Sequence, residues 1–178
     1  MTLRLTLIST ESEDFILEFK IDADATFADL HRLILQHCRF DEVHGQRFFI
    51  CDDNWKPNQR ILLSDEENVN IDEDVFLMHD THLGEFLEDE GQRLTYRFDP
   101  EDRRMFLIEL TETTFSDPVP ETGTLTRRHG TPPTQFVEDD EPQNTIQTVV
   151  SEELEEEFYG EDGFEEEDLD MEGFDILE

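Results

Sequence analysis

The sequence predicts an α+β domain: a mostly antiparallel sheet covered by one main helix and one short helix, followed by a disordered acidic tail. Three observations carry this. Two alternating apolar runs near the start read as paired strands, one stripe at helical spacing follows them, and a second pair of alternating runs flanks a proline-containing turn. The opening order ββαβ is compatible with a β-grasp-like arrangement.

Leu3, Leu5 and Leu7 alternate with Thr2, Arg4 and Thr6, which is strand periodicity. Phe15, Leu17, Phe19 and Ile21 repeat the pattern, and the polar stretch Ser9–Asp14 joins the two as a hairpin. Thr26-Phe27-Ala28-Asp29 has the spacing of a capping box. Phe27, Leu30, Ile34 and Cys38, with Leu33 nearby, then form an apolar stripe, so residues 27–38 read as one amphipathic helix. Arg47–Cys51 is an apolar strand, Asp52–Asn58 a turn cluster, and Arg60–Leu63 a short returning strand. Asp65–Asp74 reads as an acidic loop and Val75–Met78 as a further strand. Leu83, Phe86 and Leu87 suit one or two helical turns ended by Gly91. Leu94–Phe98 and Met105–Leu110 form a hairpin across Asp99-Pro100-Glu101-Asp102, where Pro takes the second position of a type I turn.

The charge divides the chain. Of 178 residues, 13 are Lys or Arg and 48 are Asp or Glu, a net of −35. Residues 138–178 hold 19 acids and no base; residues 1–137 hold all 13 bases against 29 acids, a net of −16. The last 41 residues repel one another and carry too little apolar surface to offset chain entropy. Four of the seven prolines, with Gly123 and Gly130, fall between Ser116 and Thr134. The expected organisation is a core at 1–113, a Pro/Gly-containing arm at 114–137 and an acidic tail at 138–178. No internal repeat is visible.

Composition excludes several functions. Direct binding to nucleic acid or an anionic membrane needs a basic patch, against the −35 net charge. No apolar run approaches the ~20 residues that span a bilayer, and the alternating start makes a poor signal peptide. Cys38 and Cys51, without a CxxC pair, fit a reducing cytoplasmic setting and exclude a cysteine-rich zinc site. The expected localisation is cytoplasmic, with no cofactor.

Three stretches resemble a known family. Thr26-Phe27-Ala28-Asp29-Leu30-His31 is similar to a helix opening of the form Thr-Leu-x-x-Leu-His. His44-Gly45-Gln46-Arg47-Phe48 resembles a His-Leu-x-x-Phe strand entry. Leu94–Asp102, with Tyr96, Phe98, Asp99 and Asp102, resembles a Tyr-x-Tyr-Asp-Phe-Gly-Asp segment followed by the Glu109 strand. Together these resemble the Ri-plasmid open-reading-frame-three-like family, bacterial proteins some of which are described as transposon passenger proteins. The chain departs from it where Phe98 takes the second tyrosine position, Pro100-Glu101 replaces Phe-Gly and the following Trp is missing. Phe48–Trp55 and Gly130–Gln135 look like a subgroup with an acidic C-terminal extension. The resemblance covers roughly residues 1–135 and implies an α+β fold, a possible link to mobile elements and no established activity.

The sequence offers few candidates for chemistry. Neither GxGxxG, GxxxxGK[ST] nor GxSxG is present. Cys38 lies on the apolar helix stripe and reads as a structural thiol. His79, His82 and Glu85 sit at i, i+3 and i+6 and would share a helix face able to hold Zn²⁺, set against solvated polar residues around a short helix. Asp168–Gly173 opens like an EF-hand loop, but the chain ends before the bidentate Glu. Paired carboxylates such as Asp52-Asp53 lie in turns and read as solvated. Trp55, the only tryptophan, lies in a polar turn and has two readings, packing onto the sheet or anchoring a partner. In the tail, Leu154, Phe158, Tyr159, Phe164 and Phe174 stand among carboxylates, a composition of segments that order on binding.

The expected function is therefore a non-enzymatic interaction module whose acidic–hydrophobic tail binds a basic protein or mimics nucleic acid. The alternatives are an enzyme or metal-dependent module with a site in the core, and a structural domain with a solubilising tail.

Overall fold

The computed structural model describes residues 1–64, 75–99, 101, 103–115, 119–120 and 122–137. The chain divides into two units, Met1–Glu138 and Asp139–Glu178. The tail residues Leu154, Phe158, Tyr159, Phe164 and Phe174, the Asp65–Asp74 loop and Asp102 lie outside the described residues.

The first unit is an α+β fold. The elements run β1 (Thr2–Ser9), β2 (Ile16–Asp22), α1 (Phe27–Cys38), β3 (Arg47–Cys51), β4 (Pro57–Leu62), β5 (Phe76–Leu77), a 3-10 turn (Leu83–Glu85), β6 (Arg93–Arg97), β7 (Met105–Thr114) and β8 (Thr124–His129). They form an eight-stranded sheet in the order β5-β4-β3-β6-β7-β1-β2-β8. Every pairing is antiparallel except β4 with β5. Sequence-distant strands meet at its centre: β1 pairs with β7, placing Leu5 opposite Leu110 and Leu7 opposite Ile108.

Alternation assigns the two faces of the sheet. Leu3, Leu5, Leu7, Leu17, Phe19, Leu94, Tyr96, Phe106 and Ile108 point inward and are buried with Phe27, Leu30 and Ile34 of α1. The opposite face carries Thr6, Ile8, Phe49, Thr95, Leu107 and Glu109. Helix α1 begins with the capping box its sequence announces. Thr26 Oγ1 accepts the Asp29 amide at 3.2 Å, and Asp29 Oδ2 accepts the Thr26 amide at 2.9 Å. Such a cap contributes about 1 kcal/mol. The helix ends at Arg39 in a left-handed conformation (φ 58°).

One expectation changes. The short helix is a single 3-10 turn whose N-cap is His82, and Gly91 (φ 90°) instead forms the turn into β6, donating its amide to Leu110 O at 2.7 Å. Within the arm, Thr124–His129 is a strand paired with β2. Its side chains bury little apolar area, so the backbone ladder rather than a hydrophobic pattern holds it.

Candidate functional site

Three polar arrangements stand out from the packed core. The first joins residues far apart in sequence. Strand β6 carries Tyr96 and helix α1 carries His31, both essentially fully buried. The Tyr96 hydroxyl lies 2.9 Å from His31 Nδ1. His31 Nε2 lies 3.3 Å from Glu42 Oε2, off the ring's hydrogen-bond direction, so that contact is chiefly electrostatic. Glu42 itself is exposed. Burial holds the His31 pKa below its ordinary value against the pull of Glu42. With burial disfavouring the imidazolium, the Tyr96 hydroxyl is placed to donate to Nδ1.

Burial also raises the Tyr96 phenol well above its usual range and pushes the nearby Cys38 thiol up to about 12. A nucleophile or general base needs its reactive form made accessible near neutral pH. Here phenol, imidazole and thiol are each held in the neutral form inside the core. The cluster is a buried strut between helix and sheet.

The second arrangement closes the arm onto the core. The Gln135 side chain accepts the Asp41 amide and donates to the Asp41 carbonyl, both at 2.7 Å, in the manner of a β-bridge. Arg104 forms a two-pronged ion pair with Glu11 at 2.7 Å, donates to Thr134 O and Gln135 O, and lies 4.9 Å over the Phe98 ring. Gln46, fully buried, donates to Asp41 O and Phe98 O. The Gly130–Gln135 segment is thus strapped across the α1–β3 connection.

The third arrangement lies on the sheet face opposite α1. Asp52 organises the β3–β4 turn: its carboxylate accepts the amides of Asn54 and Lys56 at 2.8 and 2.9 Å, which holds its pKa low. Trp55 takes a left-handed backbone conformation there (φ 64°). Its half-buried indole lines a shallow pocket of 170 Å³ with Thr6, Ile8, Leu107, Glu109 and Thr111. The Arg93 guanidinium sits 5.0 Å over the ring, pairs with Glu109 at 3.3 Å and donates to Asp53 O. Arg93 therefore neutralises the one acid in the pocket wall, leaving an apolar floor of Ile8 and Leu107.

The remaining sequence candidates fall as follows. His82 Nδ1 lies 2.6 Å from Asp24 O, and Glu85 caps the His82 amide at 2.8 Å. His79 pairs with Asp80 at 3.2 Å on the surface. The backbone has assigned these groups to capping and turn contacts, so they do not converge as a ligand set. Among the described residues no cluster of three His, Cys, Asp or Glu stands ready for a metal ion. Leu30, Phe48 and Phe98 are core residues, His44 is exposed, and Asp99 accepts the Arg103 amide at 3.3 Å in its turn. Sequence reasoning did not single out Glu42, Gln46, Arg93, Arg104 or Gln135. Gln46 and Gln135 do lie inside stretches that carry the family resemblance, which was the available signal.

The model of the plasmid pRiA4b ORF-3-like protein family matches residues 1–174, and the chain belongs to this family. The fold is similar to that of a protein of unknown function, MM3350, from Methanosarcina mazei Go1, with a TM-score of 0.51 and 14% identity over 71% of this chain and 68% of that one. Comparison with curated proteins finds no match. No helix among the described residues is long and apolar enough to cross a membrane.

Proposed function

We propose that this protein is a non-enzymatic protein-interaction module whose core docks a partner on the sheet face opposite α1, at Trp55. One observation carries the reading. A bulky aromatic occupies a left-handed backbone position, φ 64°, in a surface turn. For a side chain with a Cβ that conformation costs about 1–2 kcal/mol, which glycine avoids. Strain kept at a surface position points to a use for the side chain. Here the indole borders an apolar pocket open to solvent, sized for one aliphatic or aromatic side chain. Interface anchors are enriched in Trp, Tyr and Arg. The tail at 138–178 complements the core with carboxylates and aromatics suited to a basic partner.

The test is affinity capture from bacterial lysate with the full chain, a Trp55→Gly variant and a variant with Glu155, Glu156 and Glu157 changed to Gln. A partner lost with Trp55→Gly supports the sheet face; one lost only with the tail variant moves the function to the tail. A partner held equally by all three overturns the proposal.

A further inference from the structure

We propose that β8 is a strand-addition site for an acidic, extended segment of a partner protein. The site is separate from the Trp55 face and rests on the same interaction reading. β8 ends the sheet order, paired with β2 on one side and with no strand on the other among the described residues. Such an edge presents a row of backbone donors and acceptors that templates another strand. The strand has six residues without proline, and all but Leu125 are exposed.

Two glycines bring it flush against the sheet. Gly123 and Gly130 bracket β8 with φ of 76° and 70°. A Cβ on Gly123 would sit 3.0 Å from Ile21 Cγ1, and one on Gly130 would press into the Asp14 carbonyl. The ladder shifts register between Glu18 and Phe19, leaving Thr126 as the extra residue of β8, so the strand bends once along its length.

Its charge selects the occupant. Arg127, Arg128 and His129 are consecutive, with no acid in the strand, in a protein of net −35. Arg127 pairs with Glu18 at 3.0 Å, and Arg128 donates to His37 O at 3.1 Å through one nitrogen. Each guanidinium carries several further donors in a fork suited to carboxylates. Arg127 and Arg128 lie on opposite faces of the sheet, with Arg127 on the Glu18 face and Arg128 on the helix face, so an incoming strand of alternating Glu and β-branched residues places its carboxylates on one of these faces while its backbone completes the ladder.

The test uses the full chain and a labelled peptide of about eight residues, long enough to span the edge, alternating Glu with Val or Thr. A control peptide carries Lys in place of Glu. The expected result is saturable binding of the Glu peptide alone, weakening as salt rises from about 20 to about 300 mM. Amide hydrogen exchange at residues 124–129 should slow about tenfold or more on binding. Arg127→Glu with Arg128→Glu should weaken binding about tenfold or more, while the paired Lys substitutions retain most of it. The paired Gln substitutions serve if the reversal unfolds the protein. Trp55→Gly should leave peptide binding unchanged, which separates this site from the Trp55 reading. Equal binding of both peptides, protection elsewhere in the sheet, or concentration-dependent dimerisation through β8 would each overturn the proposal.

Discussion

Replacing Trp55 by Gly and, separately, by Ala distinguishes backbone strain from side-chain packing. Both substitutions remove the half-buried indole. Roughly half of a ~200 Å² side chain at ~25 cal/mol/Å² amounts to about 2.5 kcal/mol. Loss of the Arg93 contact, 5.0 Å from the ring centre, adds about 0.5–1 kcal/mol. Ala therefore costs about 3 kcal/mol and keeps the left-handed strain. Gly loses the same packing but recovers about 1–2 kcal/mol of strain, less a fraction for its freer unfolded chain. Trp55→Gly is expected to be more stable than Trp55→Ala by about 1 kcal/mol, read as a higher urea midpoint at unchanged slope. An Ala variant as stable as the Gly variant would remove the strain argument, and with it the main support for a side chain kept for binding.

Other consequences follow from the buried networks. Gln135→Ala removes two hydrogen bonds to Asp41 and is expected to cost about 2 kcal/mol in urea unfolding. The Arg104→Ala effect should fall short of adding to it, because Arg104 holds the same segment through Gln135 O. Tyr96→Phe leaves His31 Nδ1 without its donor in the core and should lower stability by about 1–3 kcal/mol. The lowered His31 pKa gives a pH dependence: the unfolded chain takes up that proton first as pH falls, so this stability is complete above about 6.5 and is lost below it. His37, lowered by burial and by Arg128, acts in the same direction. His31→Gln should flatten the decline of Tm between about pH 7 and 5, whatever its effect on Tm itself.

Local chemistry was legible and long-range contact was not. Thr26 and Asp29 announced α1 because a capping box is a three-residue relationship. Leu3–Leu7 and Phe15–Ile21 announced their strands because one face is buried and the other is not. β8 escaped because its partner, not its own burial, makes it a strand. His31 and Tyr96 were both picked out by family resemblance, yet their contact spans 65 positions and depends on the β1–β7 pairing that assembles the sheet. Glu42 carried no signal, being one acid among 48. The Asp52–Asn58 turn was legible, but the left-handed backbone of Trp55 was not, since its residue type argues against that conformation. Gln135 lies in the Gly130–Gln135 element that resembles the family, and only the fold reveals that its amide closes on Asp41.

The central claim is that the sheet face at Trp55 binds a protein partner. Its most direct measurement is calorimetric titration of a purified, captured partner into the full chain and into Trp55→Gly, with both shown folded by circular dichroism. Loss of an interface anchor predicts a Kd for the variant weaker by about 2 kcal/mol, roughly thirtyfold. An unchanged Kd in the folded variant would contradict the claim.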